Sequence, residues 1–129
     1  MSVVVGYVPS REGEAALTHA VSEARSRDAR LVVVNTSRGD ALVDQRYVDD
    51  EQLAGLRDRL AGEDVRYDIV HATRGLDASE EILAAAAEHR ADLVVIGMRR
   101  RSPVGKLLLG STAQRVLLDA TCPVLAVKP

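Results

Sequence analysis

Five short apolar runs recur along the chain: SVVVGYV (2–8), RLVVVNT (30–36), RYDIVHA (66–72), DLVVIG (92–97) and PVLAVK (123–128). They are rich in Val and Ile. Three are nearly continuous rather than alternating, the pattern of parallel strands covered on both faces. Between the runs the period changes. Leu17, Ala20, Val21 and Ala24 recur at spacings of 3, 4 and 7 and form one face of a helix. Residues 47–61 set Val48, Leu53, Leu56 and Leu60 among Asp, Glu and Arg, predicting an exposed amphipathic helix. Residues 78–90 repeat the idea with Ile82, Leu83, Ala86 and Ala87. A last helix over 112–119 would turn Ala113, Val116 and Leu117 inward, and Ser111-Thr112-Ala113-Gln114 reads as a capping box, with Ser111 accepting from the helix start. Ser10 caps the first helix, and the unpatterned stretch Ser37 to Arg46 is a surface loop.

The order β-α-β-α-β-α-β-α-β predicts an α/β fold: a single doubly wound open sheet of five parallel strands with four helices, joined by right-handed crossovers. With 129 residues, no repeat and no linker, the chain 1–129 reads as one domain. Aromatic residues are 2% of the chain, three Tyr with no Phe or Trp, so the interior must be built from Val, Leu, Ile and Ala. One Cys excludes a disulfide framework or a cysteine-rich zinc module. A net charge of −2 argues against nonspecific nucleic-acid binding. No apolar run approaches the ~20 residues of a membrane span. Met1 to Gly6 lacks the basic region and long apolar core of a signal peptide, so the expected location is cytoplasmic.

In an open doubly wound sheet, ligands bind beyond the carboxyl ends of the strands, where strand order reverses. The richest strand exit runs from Gly97 through Arg99-Arg100-Arg101 to Gly110-Ser111-Thr112 at the start of a helix. A helix start carries unpaired N–H groups and the positive end of the dipole, so the segment reads either as a phosphate cradle or as a capped helix behind a solvated Arg run. A Walker loop is excluded, because Arg100 stands at its first Gly position and Leu107 where Ser or Thr should hold magnesium. The dinucleotide fingerprint is also absent after the first strand, where Gly6-Tyr7-Val8-Pro9-Ser10-Arg11 is found.

The exit loop resembles the signature of universal stress proteins, G-x2-G-x9-G-[ST]. Further matches are Gly75, Ala91 to Gly97, Leu107-Leu108-Leu109-Gly110-Ser111, and Cys122-Pro123-Val124-Leu125-Ala126-Val127. The resemblance covers essentially the whole chain. It implies a Rossmann-like, adenine-nucleotide α-hydrolase-like sheet, a homodimer joined through the C-terminal strand, unknown protein partners, and binding of ATP, AMP or cyclic AMP. Residue by residue it implies that Ile96 and Gly97 line the adenosine side, that Gly110, Ser111 and Thr112 hold phosphate oxygens, and that Gly6 and Thr36 flank the base. Two departures alter this pocket. Arg100 replaces the second signature Gly, and Val8 stands where nucleotide-binding members carry an acid. The expected function is an adenine-nucleotide-binding regulatory dimer. The alternatives are a dimeric interaction module that binds no nucleotide and, third, a slow ATP hydrolase, for which no catalytic base can be assigned.

The remaining polar residues carry less. Cys122 has no neighbour to depress its pKa and reads as a buried inert thiol. His19, His71 and His89 lack metal-ligand spacing. Asp49, Asp50 and Glu51 fit an acidic helix start. Ser10 has no G-x-S-x-G context, and the Arg run has no aromatic partners for RNA. With no Phe or Trp to stack on a base, an adenine ring would be held by aliphatic walls and backbone groups, so binding should be weak and selective.

Overall fold

The computed structural model describes residues 1–36, 45–71, 77–100 and 107–129. Strands β1 (Ser2–Tyr7), β2 (Arg30–Asn35), β3 (Tyr67–His71), β4 (Leu93–Gly97) and β7 (Val124–Val127) form one parallel sheet in the order β3-β2-β1-β4-β7. Helices α1 (Arg11–Ser26), α2 (Gln45–Ala61), α3 (Ala78–Glu88) and α4 (Ser111–Asp119) alternate with them. Two short antiparallel strands in the fourth strand exit, β5 (Arg99–Arg100) and β6 (Leu107–Leu108), were not expected from the sequence.

The period of two along each strand sorts its residues between two cores. Val3, Val5 and Tyr7 of β1 join Leu31, Val33 and Val95 beneath α1 and α2, which contribute Leu17, Ala20, Leu56 and Leu60. Val4 joins Val32, Val34, Val94 and Ile96 on the other face, beneath Ile82 and Ala85 of α3 and Ala113 and Val116 of α4. Both faces being covered explains why the strands read as continuous apolar runs. The winding changes direction at β1, whose neighbours are β2 and β4, so the carboxyl ends of β1 and β4 flank the crevice where ligands bind in such sheets.

Local signals set most helix ends. The Ser10 side chain accepts from Gly13 N–H at 3.1 Å, as expected for the α1 cap. The Asp77 side chain caps α3, accepting from Glu80 N–H at 2.9 Å. Tyr7, directed away from Val8 into the α1 core, donates its hydroxyl to Glu14 Oε1 at 2.6 Å, and Arg59 of α2 pairs with the same carboxylate.

Three expectations fail. Gly110, not Ser111, is the N-cap of α4, and glycine brings no side chain to cap that start: Gly110 O already accepts from Gln114 N–H at 2.9 Å, so Ser111 is the first helical residue. Leu117 is 40% exposed, because only Ala113 and Val116 of α4 are buried. In α3 the buried alanine is Ala85, and Ala87 faces solvent. The expected loop and the Arg-Gly-Asp triplet fall largely on residues 37–44, Gly75 falls on 72–76 and Arg101 on 101–106, all outside the described residues.

Candidate functional site

A cavity of about 450 Å³ opens at the carboxyl ends of β1 and β4. Gly6, Val8, Thr36, Ile96, Gly97, Gly110, Ser111 and Thr112, drawn from well-separated parts of the sequence, all line it. Arg100 is described only through its backbone pairing with Leu107; its side chain lies outside the described residues.

Each wall has a structural cause. Val8 and Ile96 supply aliphatic surface, joined by Ile82 from α3. The Thr36 side chain is almost buried, and its hydroxyl and N–H both donate to Tyr7 O, at 3.2 and 2.9 Å, which ties the end of β2 to β1. Gly97 permits a close approach: a Cβ there would stand 2.4 Å from Glu12 O, so the start of α1 can seat on the end of β4 only above glycine. On the opposite side the start of α4 is open. A Cβ on Gly110 would meet nothing within 4 Å, and this N-cap glycine supplies no side-chain acceptor to the first-turn N–H groups of α4. An uncapped helix start flanked by the hydroxyls of Ser111 and Thr112 offers hydrogen-bond donors and a positive partial charge to an anion.

Two charged lining residues were not among the expected site residues. Glu12, from the first turn of α1, and Arg99, from β5, both line the cavity, with Arg99 Nε 3.6 Å from Glu12 Oε1. Gly13, Ala78, Ile82 and Ala113 complete the wall. Arg99 belonged to the Arg run already singled out, but Glu12 carried no signal beyond the acidic first turn of any helix. Among the described residues no cluster of three His, Cys, Asp or Glu side chains is arranged to hold a metal. Cys122 is half-buried, and burial together with the nearby Asp92 carboxylate raises its thiol pKa, against a reactive role. No described helix is long and apolar enough to cross a membrane.

A family model described as the universal stress protein family matches residues 1–128. The chain belongs to the universal stress protein family. A universal stress protein of Mycolicibacterium smegmatis is 46% identical over 127 residues, covering 98% of this chain and 97% of its own. The solved structure of a universal stress protein from Archaeoglobus fulgidus superposes with a TM-score of 0.81 at 32% identity, covering 99% of this chain and 98% of the other. A structure of the universal stress protein from Archaeoglobus fulgidus in complex with dAMP superposes with a TM-score of 0.77 at 27% identity, with the same coverage. This family member therefore shares its sheet and helix arrangement with universal stress proteins over essentially the whole chain.

Proposed function

We propose that this protein is a cytoplasmic regulator that binds an adenine nucleotide, ATP, AMP or cyclic AMP, in the cavity between β1 and β4, within one universal stress protein domain spanning 1–129. The observation that carries the reading is the pairing, in one cavity, of an uncapped α4 start at Gly110-Ser111-Thr112 with aliphatic walls from Val8, Ile82 and Ile96. The first suits phosphate oxygens and the second an uncharged ring. The relative solved with dAMP supports the same ligand class.

Denaturing the purified protein and identifying any released nucleotide, followed by thermal shift with ATP, AMP and cyclic AMP, tests the proposal. A nucleotide at ~100 times its Kd should stabilise the fold by roughly 2.7 kcal/mol. No shift at millimolar concentrations of all three overturns it. In the same reading the protein is a homodimer joined through β7. This strand is an edge of the sheet, with Val124, Leu125 and Ala126 only partly covered, and an unpaired edge invites pairing. Light scattering at twice the chain mass is the expected result, and a clean monomer sinks this part.

A further inference from the structure

We infer that Glu12 is the acceptor for the ribose hydroxyls of a nucleotide in this cavity, an assignment that rests on the nucleotide reading above. Glu12 is the one carboxylate among the described residues lining the cavity. Its placement is enforced by the fold. Ser10 caps α1 two residues earlier, and the start of that helix packs so tightly over the end of β4 that a Cβ on Gly97 would stand 2.9 Å from Glu12 Cβ. The side chain is only 23% exposed, so the carboxylate is partly removed from water and favours hydrogen-bond donors in its place.

The two sides of the cavity differ in the hydrogen-bonding groups they offer. α1 packs on one face of the sheet with Val3, Val5 and Tyr7, and α4 on the other with Val4, Val94 and Ile96. A ligand between them meets N–H and hydroxyl donors at Gly110-Ser111-Thr112 and a carboxylate at Glu12. Phosphate finds donors at the start of α4, whereas a carboxylate offers it none. An adenine ring suits the aliphatic walls. The vicinal hydroxyls of ribose are the donor pair that two carboxylate oxygens can accept together. Dinucleotide-binding sheets use the same chemistry, an acid apart from the phosphate turn accepting from the ribose 2′-OH. Arg99 leaves this capacity in place, since 3.6 Å is longer than a hydrogen bond and the contact involves only Oε1.

A purely structural Glu12, complementing the α1 dipole or fastening β5, would alter stability without altering which sugar binds. The test is therefore a selectivity ratio, measured by calorimetry on the full chain with AMP and 2′,3′-dideoxy-AMP. Wild type should prefer AMP by roughly tenfold or more, the effect of hydrogen bonds to a charged acceptor. Glu12→Ala should bring the ratio close to one, and Glu12→Gln should lower it. Arg99→Gln, which removes the ion pair but keeps the acceptor, should preserve it. Thermal melts of each variant confirm folding. No preference in wild type, a preference that survives Glu12→Ala, or an equal loss in Arg99→Gln overturns the assignment while leaving nucleotide binding intact. No binding of AMP by wild type overturns the nucleotide reading and this assignment together.

Discussion

Gly13 donates its N–H to Ser10 Oγ, and a Cβ at this position would stand 1.8 Å from Val8 O. No side-chain rotation relieves a clash between a Cβ and a backbone carbonyl, so the start of α1 must lift away from the end of β1. Gly13→Ala should accordingly lower stability by roughly 3 kcal/mol or more, in the range of severe core strain, and should enlarge or collapse the cavity that Gly13 lines. Urea denaturation reads the first effect. A loss below ~1 kcal/mol would mean that α1 is seated less tightly than described. Arg90 offers the opposite case. It ends α3 at φ 49°, a left-handed conformation that disfavours side chains, and it is exposed. Arg90→Gly should raise stability by about 1 kcal/mol, seen as a higher urea midpoint at unchanged slope. Neither glycine demand was legible from sequence: the first depends on how tightly the chain turns from Val8 into α1, and the second on the φ angle Arg90 adopts after α3.

At the scale of elements, α3 and α4 are joined at their polar edges. Arg115 of α4 lies 3.4 Å from Asp77 and 3.5 Å from Glu80, at the start of α3. All three side chains are well exposed, so solvent screens the pairs and they add little stability. The cap on α3 matters more. Hydrogen bonds from the Ser79 hydroxyl and Glu80 N–H hold the Asp77 carboxyl down at about 2, below its ordinary 3.8. The folded state thus favours the ionised form. The stabilisation is fully present above about pH 4 and is lost as pH falls towards 2. The gap in urea midpoint between wild type and Asp77→Ala should be wide at pH 7 and narrow steadily below pH 4; a gap independent of pH contradicts the cap. Sequence periodicity placed all four helices because it is a local property, and Ser10 was readable as a cap for the same reason. It misplaced the α4 cap because Ser111 and Gly110 are both acceptable cap residues, and only the Gly110 O to Gln114 N–H bond distinguishes them.

Across the whole molecule, β1 is the centre of the sheet, paired with β2 along its length and with β4 on the other side, while β3 and β7 are edges. Amide hydrogen exchange should be slowest in β1, β2 and β4, limited by global unfolding, and faster in the edge strand β3. The proposed dimer requires β7, the other edge, to be protected well beyond β3, and equal exchange in the two edges contradicts it. Leu17, fully buried beneath the sheet, tests the other interior term. Leu17→Ala should remove about 2–5 kcal/mol, the cost of the lost burial together with the void left in a close-packed core.

The order of strands and helices, the parallel two-faced sheet and the aliphatic interior were determined by the sequence itself, since each is written in the spacing and composition of neighbouring residues. The motif in the fourth strand exit likewise marked Gly97 and Gly110 to Thr112. Tertiary structure alone decided the rest. Continuous Val runs do not say which face meets which helix, so the division of Val3 and Val5 from Val4 follows from the winding. Leu117 reads as core by period yet is exposed, because the turn of α4 about its axis is set by packing. Glu12 and Arg99 meet in one cavity only because the order β3-β2-β1-β4-β7 sets the start of α1 beside the end of β4. Contacts between residues so distant in the chain arise from sheet order and close packing, and leave no local trace in the sequence.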